Sequence, residues 1–330
     1  MVKRVVLSGI QPTGKLHIGN LAGAIRNWVR IQDEYKCFYM IADLHSLTAY
    51  SNNYKEIKEN VLDIYIDLLA CGIDLSKSVL FIQSEIPAHT QLHLILSMIT
   101  PLGWLQRNPT YKEKIIEMQD KDLSNYGFLG YPVLQAADIL IYRAEKVPVG
   151  QDQVSHLEIT REIARRFNHF YGKFFPEPEP LLTTSPKVLG FDGRKMSKSY
   201  NNAIYLADPP EEVLQKVKKY VTDTKKVYKN DPGNPEHCSV FPLYGIFAPE
   251  DETKQVDKGC RSGQRGCVDC KKRCAELIME SLKSYREKRQ YYMKNINELK
   301  KHIKENNEKA QAVALKNIRE IYNKVGLIYG

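Results

Sequence analysis

The stretch that most constrains the fold of this chain lies close to its N-terminus. A short apolar run at 5–7 leads into residues 8–20 (SGIQPTGKLHIGN), and a helical pattern follows over about 21–31. This order predicts the turn from the first strand of an α/β sheet into its first helix, where unpaired N–H groups attract an anion. Three glycines let the backbone approach a phosphate closely, and His17 adds a polar side chain. Since the stretch is neither G-x-G-x-x-G nor a Walker A loop, a surface turn with a histidine is an equally open interpretation.

A second loop, residues 195–199 (KMSKS), follows a turn signal at Asp192-Gly193. Two lysines that bracket two hydroxyls suit a phosphate clamp, although a basic pentapeptide alone is more often a solvated loop. Residues 17–20 (HIGN) and 195–199 stand in order, about 180 residues apart. Together they resemble the HIGH and KMSKS signatures of the class I aminoacyl-tRNA synthetases.

Composition narrows the class of protein. The chain has 330 residues, 43% hydrophobic and 26% charged, which is ordinary for one large or two average globular domains. No apolar run approaches the roughly 20 residues that cross a bilayer, and the N-terminus lacks a signal-peptide core. Seven unevenly placed cysteines make a disulfide framework unexpected. We therefore expect a cytoplasmic protein with no membrane partner.

The positive charge of the chain is concentrated near its C-terminus. Residues 271–330 hold 15 Lys or Arg against 7 Asp or Glu, which accounts for nearly all of the net charge of +9. A basic region beside a near-neutral remainder indicates a polyanionic partner. A lysine-rich solvated helical surface with no partner is the open alternative.

The order of apolar runs predicts the architecture. Runs at 37–42 and 79–82 have the length and composition of buried parallel strands, and a helical pattern at 57–68 separates them. We expect an α/β fold, a doubly wound parallel (Rossmann-type) sheet followed by a helical domain, with domains at 1–203 and 204–330. In the second domain we expect a helix ending near 220, an irregular stretch over 223–266 and helices from 271, with a break at 305–308.

Residues 131–140 (YPVLQAADIL) read as a helix with Pro132 in its first turn. Gln135 and Asp138 are three apart and share a face, with Tyr131 one turn earlier. A buried carboxylate there needs a donor such as a ligand N–H, whereas in an ordinary amphipathic helix Asp138 would face water. Asp152, in residues 150–153 (GQDQ), suits either a helix cap or an acceptor for ribose hydroxyls.

At this point the resemblance narrows to tryptophanyl-tRNA synthetase and extends over essentially the whole chain. It rests on residues 9–14 (GIQPTG), the 131–138 segment, residues 150–153 and the KMSKS loop. Tyrosyl-tRNA synthetase shares the Tyr-Pro…Gln…Asp helix, but the 9–14 motif favours tryptophan. Gln135 stands where many bacterial tryptophan enzymes carry Met, and Gln151 replaces the usual Glu. A non-catalytic RNA- or metal-binding protein on the same fold is the alternative from another class.

The resemblance implies ATP-dependent ligation of L-tryptophan to tRNA(Trp) by a homodimer that uses Mg²⁺, with no role for DNA. Charge on the phosphates would be stabilised by the catalytic residues His17, Lys195 and Lys198. The residues assigned to ATP are Gln11, Thr13, Gly14, His17, Gly19, Asn20, Gly150, Asp152, Gln153, Lys195, Met196, Ser197, Lys198 and Ser199. The residues assigned to tryptophan are Leu7, Gln11, His45, Tyr131, Gln135, Asp138 and Val147, with Asp138 accepting the indole N–H.

Five of the seven cysteines fall between residues 238 and 274. The spacing Cys-x21-Cys-x6-Cys-x2-Cys, made by Cys238, Cys260, Cys267 and Cys270, suggests a four-thiolate metal site. Spacing does not choose between Zn²⁺ and an iron–sulfur cluster. The run at 267–272 (CVDCKK) resembles the subset of bacterial tryptophanyl-tRNA synthetases that carries a 4Fe-4S cluster. That resemblance implies a 4Fe-4S cluster on these four cysteines, with Zn²⁺ as the alternative and Cys274 as a spare.

Overall fold

A computed structural model describes residues 3–47, 54–108, 125–150, 154–182 and 188–328. Five parallel strands form its sheet in the order β3-β2-β1-β4-β5. The strands are β1 (Val5–Ile10), β2 (Lys36–Ile41), β3 (Ser78–Ile82), β4 (Lys146–Val149) and β5 (Glu179–Leu182). The chain builds outward from β1 to β3 and then returns to the other side of β1. The carboxyl ends of β1 and β4 therefore flank the switch point, where open α/β sheets bind ligands.

The predicted parallel, doubly wound sheet is confirmed. Strand β2 is buried over 37–41, as expected of a central strand with both faces covered. Its side chains alternate between two apolar clusters: Tyr39 packs in one, and Phe38 and Met40 in the other. The first cluster also receives Trp28 and the buried face of the 55–70 helix, so helices cover both sides of the sheet.

The helices in the described part of the first 182 residues follow the expected α/β alternation. They are α1 (Ile18–Asn20), a π-helical turn (Leu21–Ile25), α2 (Arg26–Ile31), α3 (Asp43–Ser46), α4 (Lys55–Ala70), α5 (Ala88–Ser97), α6 (Leu102–Gln106), α7 (Tyr126–Ile141) and α8 (Val154–Tyr171). The predicted helix over 21–31 is thus present, but it begins at Ile18 and contains a π-turn, a feature frequent at functional sites.

The remaining helices form the C-terminal part. They are α9 (Pro210–Lys218), α10 (Phe241–Phe247), α11 (Glu250–Arg261), α12 (Cys267–Ser281), α13 (Lys283–Lys294) and α14 (Ile296–Lys324). Helix α14 packs back on β3 and α5, and its Ile318 and Ile321 join the second apolar cluster. None of the helices in the described ranges is both long and apolar enough to span a membrane.

Three sequence predictions about helices are wrong in detail. Residues 223–266 are not irregular throughout, because α10 and α11 lie within them. Acidic residues in the first turn of α11 and basic residues in its last turn favour that helix through its dipole. The helix expected from Tyr131 begins instead at Tyr126. Asn125 caps this end, since its side chain accepts the Phe128 N–H at 2.9 Å, and Pro132 lies in the helix interior.

The predicted break at 305–308 is also wrong, because α14 runs through it and the helices separate at Asn295. Asparagine is a poor interior helix residue, but Asn306 and Asn307 are buried here. The Asn307 side chain accepts the backbone N–H of Ile82 at 3.1 Å. Tertiary contacts therefore stabilise a helix that local propensity disfavours.

Candidate active site

The turn after β1 holds His17 at the start of α1. The His17 Nδ1 atom accepts the Asn20 N–H at 3.3 Å, and the Asn20 side chain accepts the His17 N–H at 3.0 Å. This reciprocal capping satisfies two helix N-terminal donors and fixes the imidazole ring. Because Nδ1 accepts, the proton of neutral His17 sits on Nε2.

The 195–199 loop lies directly against this turn. The Lys198 ammonium donates to the Gly14 carbonyl oxygen at 2.6 Å, and Gly14 has a φ of +108°. Backbone hydrogen bonds join Ile18 N to Ile204 O at 3.0 Å and Leu206 N to Leu16 O at 2.9 Å. The tertiary fold thus brings together two motifs that the sequence separates by about 180 residues.

Burial sets the charge of the two central side chains. Desolvation, reinforced by the nearby Lys198 cation, lowers the pKa of His17 to about 4, so the imidazole is neutral at pH 7. Desolvation also lowers the pKa of Lys198 to about 8, which leaves its ammonium mostly protonated at that pH. The pair can therefore offer one neutral N–H donor and one cation to an anionic group.

The other residues assigned to ATP differ in their burial and in their position in the fold. Met196 is buried, with its sulfur 3.7 Å from a Cβ built on Gly19, while Lys195 is exposed. Thr13 donates its backbone N–H to the Gln11 carbonyl at 2.8 Å. Gly150 directly follows β4 at the switch point. Asp152 and Gln153 lie outside the described residues.

Asn202 organises the 195–199 loop and was not identified from the sequence. It is fully buried; its side-chain oxygen accepts the Ser197 N–H at 2.8 Å, and its amide donates to the Lys195 carbonyl at 3.2 Å. The same amide donates to Asp192 at 2.7 Å. A lone asparagine carries no sequence signal of its own, and its position three residues after the motif is the single hint that the sequence offers.

All seven residues assigned to tryptophan line one cavity of about 390 Å³ between β1, β4 and α7. This volume lies within the range of small-molecule sites. Its lining also includes Ala24, Trp28 and Met40, which were not predicted. The assigned residues are Leu7, Gln11, His45, Tyr131, Gln135, Asp138 and Val147.

The Asp138 carboxylate lines the cavity, is buried and is held by three neighbouring side chains. Its Oδ2 atom lies 2.7 Å from His45 Nε2, and its Oδ1 atom lies 2.6 Å from His89 Nδ1 and 2.8 Å from Gln83 Nε2. Complete burial opposes ionisation, but the hydrogen bonds from His45 and His89 outweigh it and lower the pKa of Asp138 to about 2. An ionised carboxylate only accepts, so both histidine nitrogens donate. Neither Gln83 nor His89 was predicted from the sequence.

A larger groove of about 900 Å³ lies elsewhere, between α4 and α14. Its lining mixes apolar residues with charges of both signs, such as Lys58, Lys304 and Glu308. It contains neither signature motif nor a buried polar network. Convergent polar groups rather than volume identify a ligand site, so we assign the active site to the smaller cavity.

The four predicted cysteines line a separate small cavity, together with Arg265 and Lys271. They are Cys238, Cys260, Cys267 and Cys270, and the buried Cys274 is not among the lining residues. Burial and the three neighbouring thiols raise the pKa of Cys260. Within the described residues, no three or more of these thiols, or of His, Asp and Glu side chains, lie close enough together to hold a metal ion as they stand. The donor set, four thiols facing one space beside two cations, nevertheless fits a thiolate-bound metal or cluster.

Comparison with known proteins agrees with the geometry. Residues 2–283 match the family model described as "tRNA synthetases class I (W and Y)". The tryptophan–tRNA ligase of Thermotoga maritima is 48% identical, covering 98% of this chain and 99% of its own length. That of Aquifex aeolicus is 42% identical over the same shares of the two chains.

A solved structure is similar as well. The Campylobacter jejuni tryptophanyl-tRNA synthetase, complexed with ADP and tryptophan, superposes with a TM-score of 0.89 at 35% identity and covers 98% of this chain and 100% of its own. These relatives disfavour both the tyrosine enzyme and a non-catalytic protein. The chain therefore belongs to the tryptophanyl-tRNA synthetases, within the class I aminoacyl-tRNA synthetases.

Proposed function

We propose that this chain ligates L-tryptophan to tRNA(Trp) in the crevice at the carboxyl ends of β1 and β4. The reaction consumes ATP, passes through tryptophanyl-adenylate and releases pyrophosphate and then AMP. The observation that carries the proposal is the cavity shared by all seven assigned residues. Gln11 in its lining belongs to the loop in which Gly14 contacts Lys198, so amino-acid and phosphate groups would lie side by side.

The amino-acid side of the site recognises tryptophan through Asp138. An ionised, buried carboxylate that lines the cavity accepts an indole N–H, and Leu7 and Val147 offer apolar contacts to the ring. A site built to pair a ligand donor strongly rejects analogues that lack it. Tyr131 and Gln11 bind the ammonium and carboxylate of the amino acid in this proposal. The Campylobacter jejuni enzyme, with a TM-score of 0.89 to this chain, was solved in complex with ADP and tryptophan, which supports binding of a nucleotide and tryptophan by this fold.

The phosphate side stabilises charge. The tryptophan carboxylate attacks the α-phosphorus of ATP, the bond to the bridging oxygen breaks and pyrophosphate leaves. Neutral His17 donates its Nε2–H to a phosphate oxygen, while Lys198 and Lys195 offset the negative charge. Mg²⁺, when bound through the phosphate oxygens of ATP, would offset further charge. No protein nucleophile is needed, because positioning and electrostatics carry the step.

The adenylate then transfers its acyl group to the 3′-terminal ribose of the tRNA. Residues 271–330 carry most of the net positive charge, which suits an RNA-facing surface. We therefore propose a catalytic domain over 1–203 and a helical, anticodon-facing domain over 204–330, acting in the cytoplasm where tRNA is charged.

The four-cysteine cavity is proposed to hold a 4Fe-4S cluster, with Zn²⁺ as the alternative. Cys267 and Cys270 lie in the first turn of α12, where the helix dipole favours thiolates, and Arg265 and Lys271 add positive charge. The cluster would tie α11, α12 and the loop at Cys238 together. Iron, sulfide and zinc analysis of protein purified without oxygen tests this: about four irons and four sulfides per chain are expected, and a single zinc would favour the alternative.

A homodimer is proposed from the surface of α5–α7. Leu94, Met98, Leu102 and Tyr126 are each more than half exposed, on α5 or at its end, on α6 and on α7. Met98, the C-cap of α5, stands four residues after Leu94 and therefore lies on the same side of the helix. An apolar face of this kind is typical of an interface between subunits.

ATP–pyrophosphate exchange tests the proposed reaction. We expect exchange to depend on tryptophan and to be at least about 100-fold less effective with tyrosine, because the site accepts a hydrogen bond from the indole N–H. A His17→Ala variant should lose about 100- to 1,000-fold in rate, the cost of removing one preorganised donor. Equal exchange with tyrosine, or none with any amino acid, would refute the assignment.

A further inference from the structure

The Asp138 carboxylate is held from two sides. On the cavity side, Oδ2 faces His45, and both residues line the cavity. On the far side, Oδ1 accepts from His89 at 2.6 Å and from Gln83 at 2.8 Å, and neither residue lines the cavity. A carboxylate oxygen has two acceptor positions, so Oδ1 is saturated and Oδ2 keeps one.

His89 is itself fixed by the aromatic core. Its Nε2 atom lies 3.0 Å from the Tyr142 hydroxyl, and both residues are buried. The Tyr142 ring stacks on Phe38, with centroids 4.7 Å apart, and packs against Phe81 at 5.3 Å. Burial and the Asp138 charge raise the pKa of Tyr142, so it remains a phenol and can donate to Nε2. This leaves the His89 proton on Nδ1, directed at Asp138.

We propose that His89, held by Tyr142, is a positioning residue that orients Asp138 so that Oδ2 presents its remaining acceptor position to the ring N–H of the substrate. The inference rests on the proposed role of Asp138 as the indole acceptor. In this proposal the preference for tryptophan depends on two residues behind the cavity wall as well. These are His89 on α5 and Tyr142 at the end of α7.

Loss of His89 removes a hydrogen bond to a charged group and leaves the carboxylate with two donors in place of three. The Oδ1 side is then held by Gln83 alone, and the carboxylate can turn away from the substrate. Hydrogen bonds to charged groups contribute enough for an effect of about ten-fold or more. The loss falls on binding of a substrate with an N–H, so KM for tryptophan rises while kcat changes little.

The test compares tryptophan with its benzothiophene isostere, in which sulfur replaces the ring N–H. The readout is the ratio of kcat/KM for the two substrates in ATP–pyrophosphate exchange. For His89→Leu we expect this ratio to fall about ten-fold or more, almost entirely through KM for tryptophan. His89→Gln retains a donor and an acceptor and should restore most of the ratio. Tyr142→Phe should lower it in the same direction but less.

Leu92→Ala is the matched control. Leu92 lies on the same helix in the same core and carries no polar group toward Asp138. It should lower the melting temperature without changing the substrate ratio. If Leu92→Ala changes the ratio as much as His89→Leu does, general loosening of the core explains the effect and the inference is wrong.

Asp138→Leu separates the inference from the proposed function, because leucine has no hydrogen-bond acceptor. An unchanged ratio in Asp138→Leu would mean that the carboxylate is not the indole acceptor, and the proposed site would fail. If the Asp138 variant has a lower ratio, but His89→Leu and Tyr142→Phe reduce kcat/KM equally for both substrates, only the positioning role fails. Should His89→Leu not fold, the Tyr142→Phe ratio decides between these outcomes.

Discussion

The His17 ring packs so closely against Gly19 that no side chain fits at position 19 unless the ring moves. A Cβ built on Gly19 would lie 2.9 Å from His17 Nδ1 and 3.0 Å from Cε1. Ordinary contacts begin at about 3.4 Å, so the imidazole in a Gly19→Ala variant must move by about 0.5 Å. The Nδ1 atom already lies 3.3 Å from Asn20 N, and that capping bond would break.

The stability of the variant should hardly change, because two terms oppose each other. Alanine in place of glycine within a helix contributes about 0.8–1 kcal/mol, and loss of the cap costs about 1 kcal/mol. Catalysis should suffer more, because a displaced donor no longer meets the phosphate oxygen. A misplacement near 1 Å can cost about 100-fold, so we expect a loss of about 10- to 100-fold in kcat/KM for ATP.

The assay is tryptophan-dependent ATP–pyrophosphate exchange, with thermal unfolding measured in parallel. Gly23→Ala is the matched control, since it adds a methyl group to the same helical segment and its Cβ meets no atom within 4 Å. Gly19→Ala should be slow and Gly23→Ala normal at similar melting temperatures. Equal exchange rates for the two variants would show that the His17 position does not limit the reaction, and the reasoning would be refuted.

Three further predictions use other parts of the molecule. Because the pKa of Lys198 is lowered to about 8, its charge is lost above that pH and kcat/KM for ATP should decline. In Lys198→Arg, kcat/KM for ATP should stay constant to about pH 10, because the guanidinium keeps its charge. Superimposable pH profiles for the variant and the unmodified enzyme would contradict this. Gly233→Ala places a Cβ 2.7 Å from Cys260 Sγ and should weaken retention of the proposed metal or cluster against a chelator about 10- to 100-fold. Gly245→Ala is the control, because its Cβ meets open space. Met98→Glu, at a position 74% exposed, should dissociate the proposed dimer into monomers, as measured by light scattering. A dimer that stays intact in this variant would exclude this face as the interface.

The features that could be predicted from the sequence are those set by residues close together along the chain. The strand–turn–helix at residues 5–31 and the buried strand predicted at 37–42 depend on short-range patterns. The structure confirms both, with the strand observed at 36–41. The two signature motifs are also local, so the family resemblance followed from a few residues at fixed spacing. Their contact through Lys198 and Gly14 is a property of the fold.

Long-range partners account for what the sequence alone could not provide. His89 and Asp138 are 49 positions apart, and Asn307 and Ile82 are 225 positions apart, so no spacing indicates either pair. Helix α14 continues through 305–308 because the sheet edge satisfies a buried asparagine there.

The sequence by itself determined the strand–helix alternation, the family and the types of side chain at the site, because these depend on neighbours along the chain. Only the tertiary structure decided the strand order 3-2-1-4-5, the charge of the buried His17 and the residues that hold Asp138 in place. Those features depend on desolvation and on contacts between distant segments, and both exist only after the chain has folded.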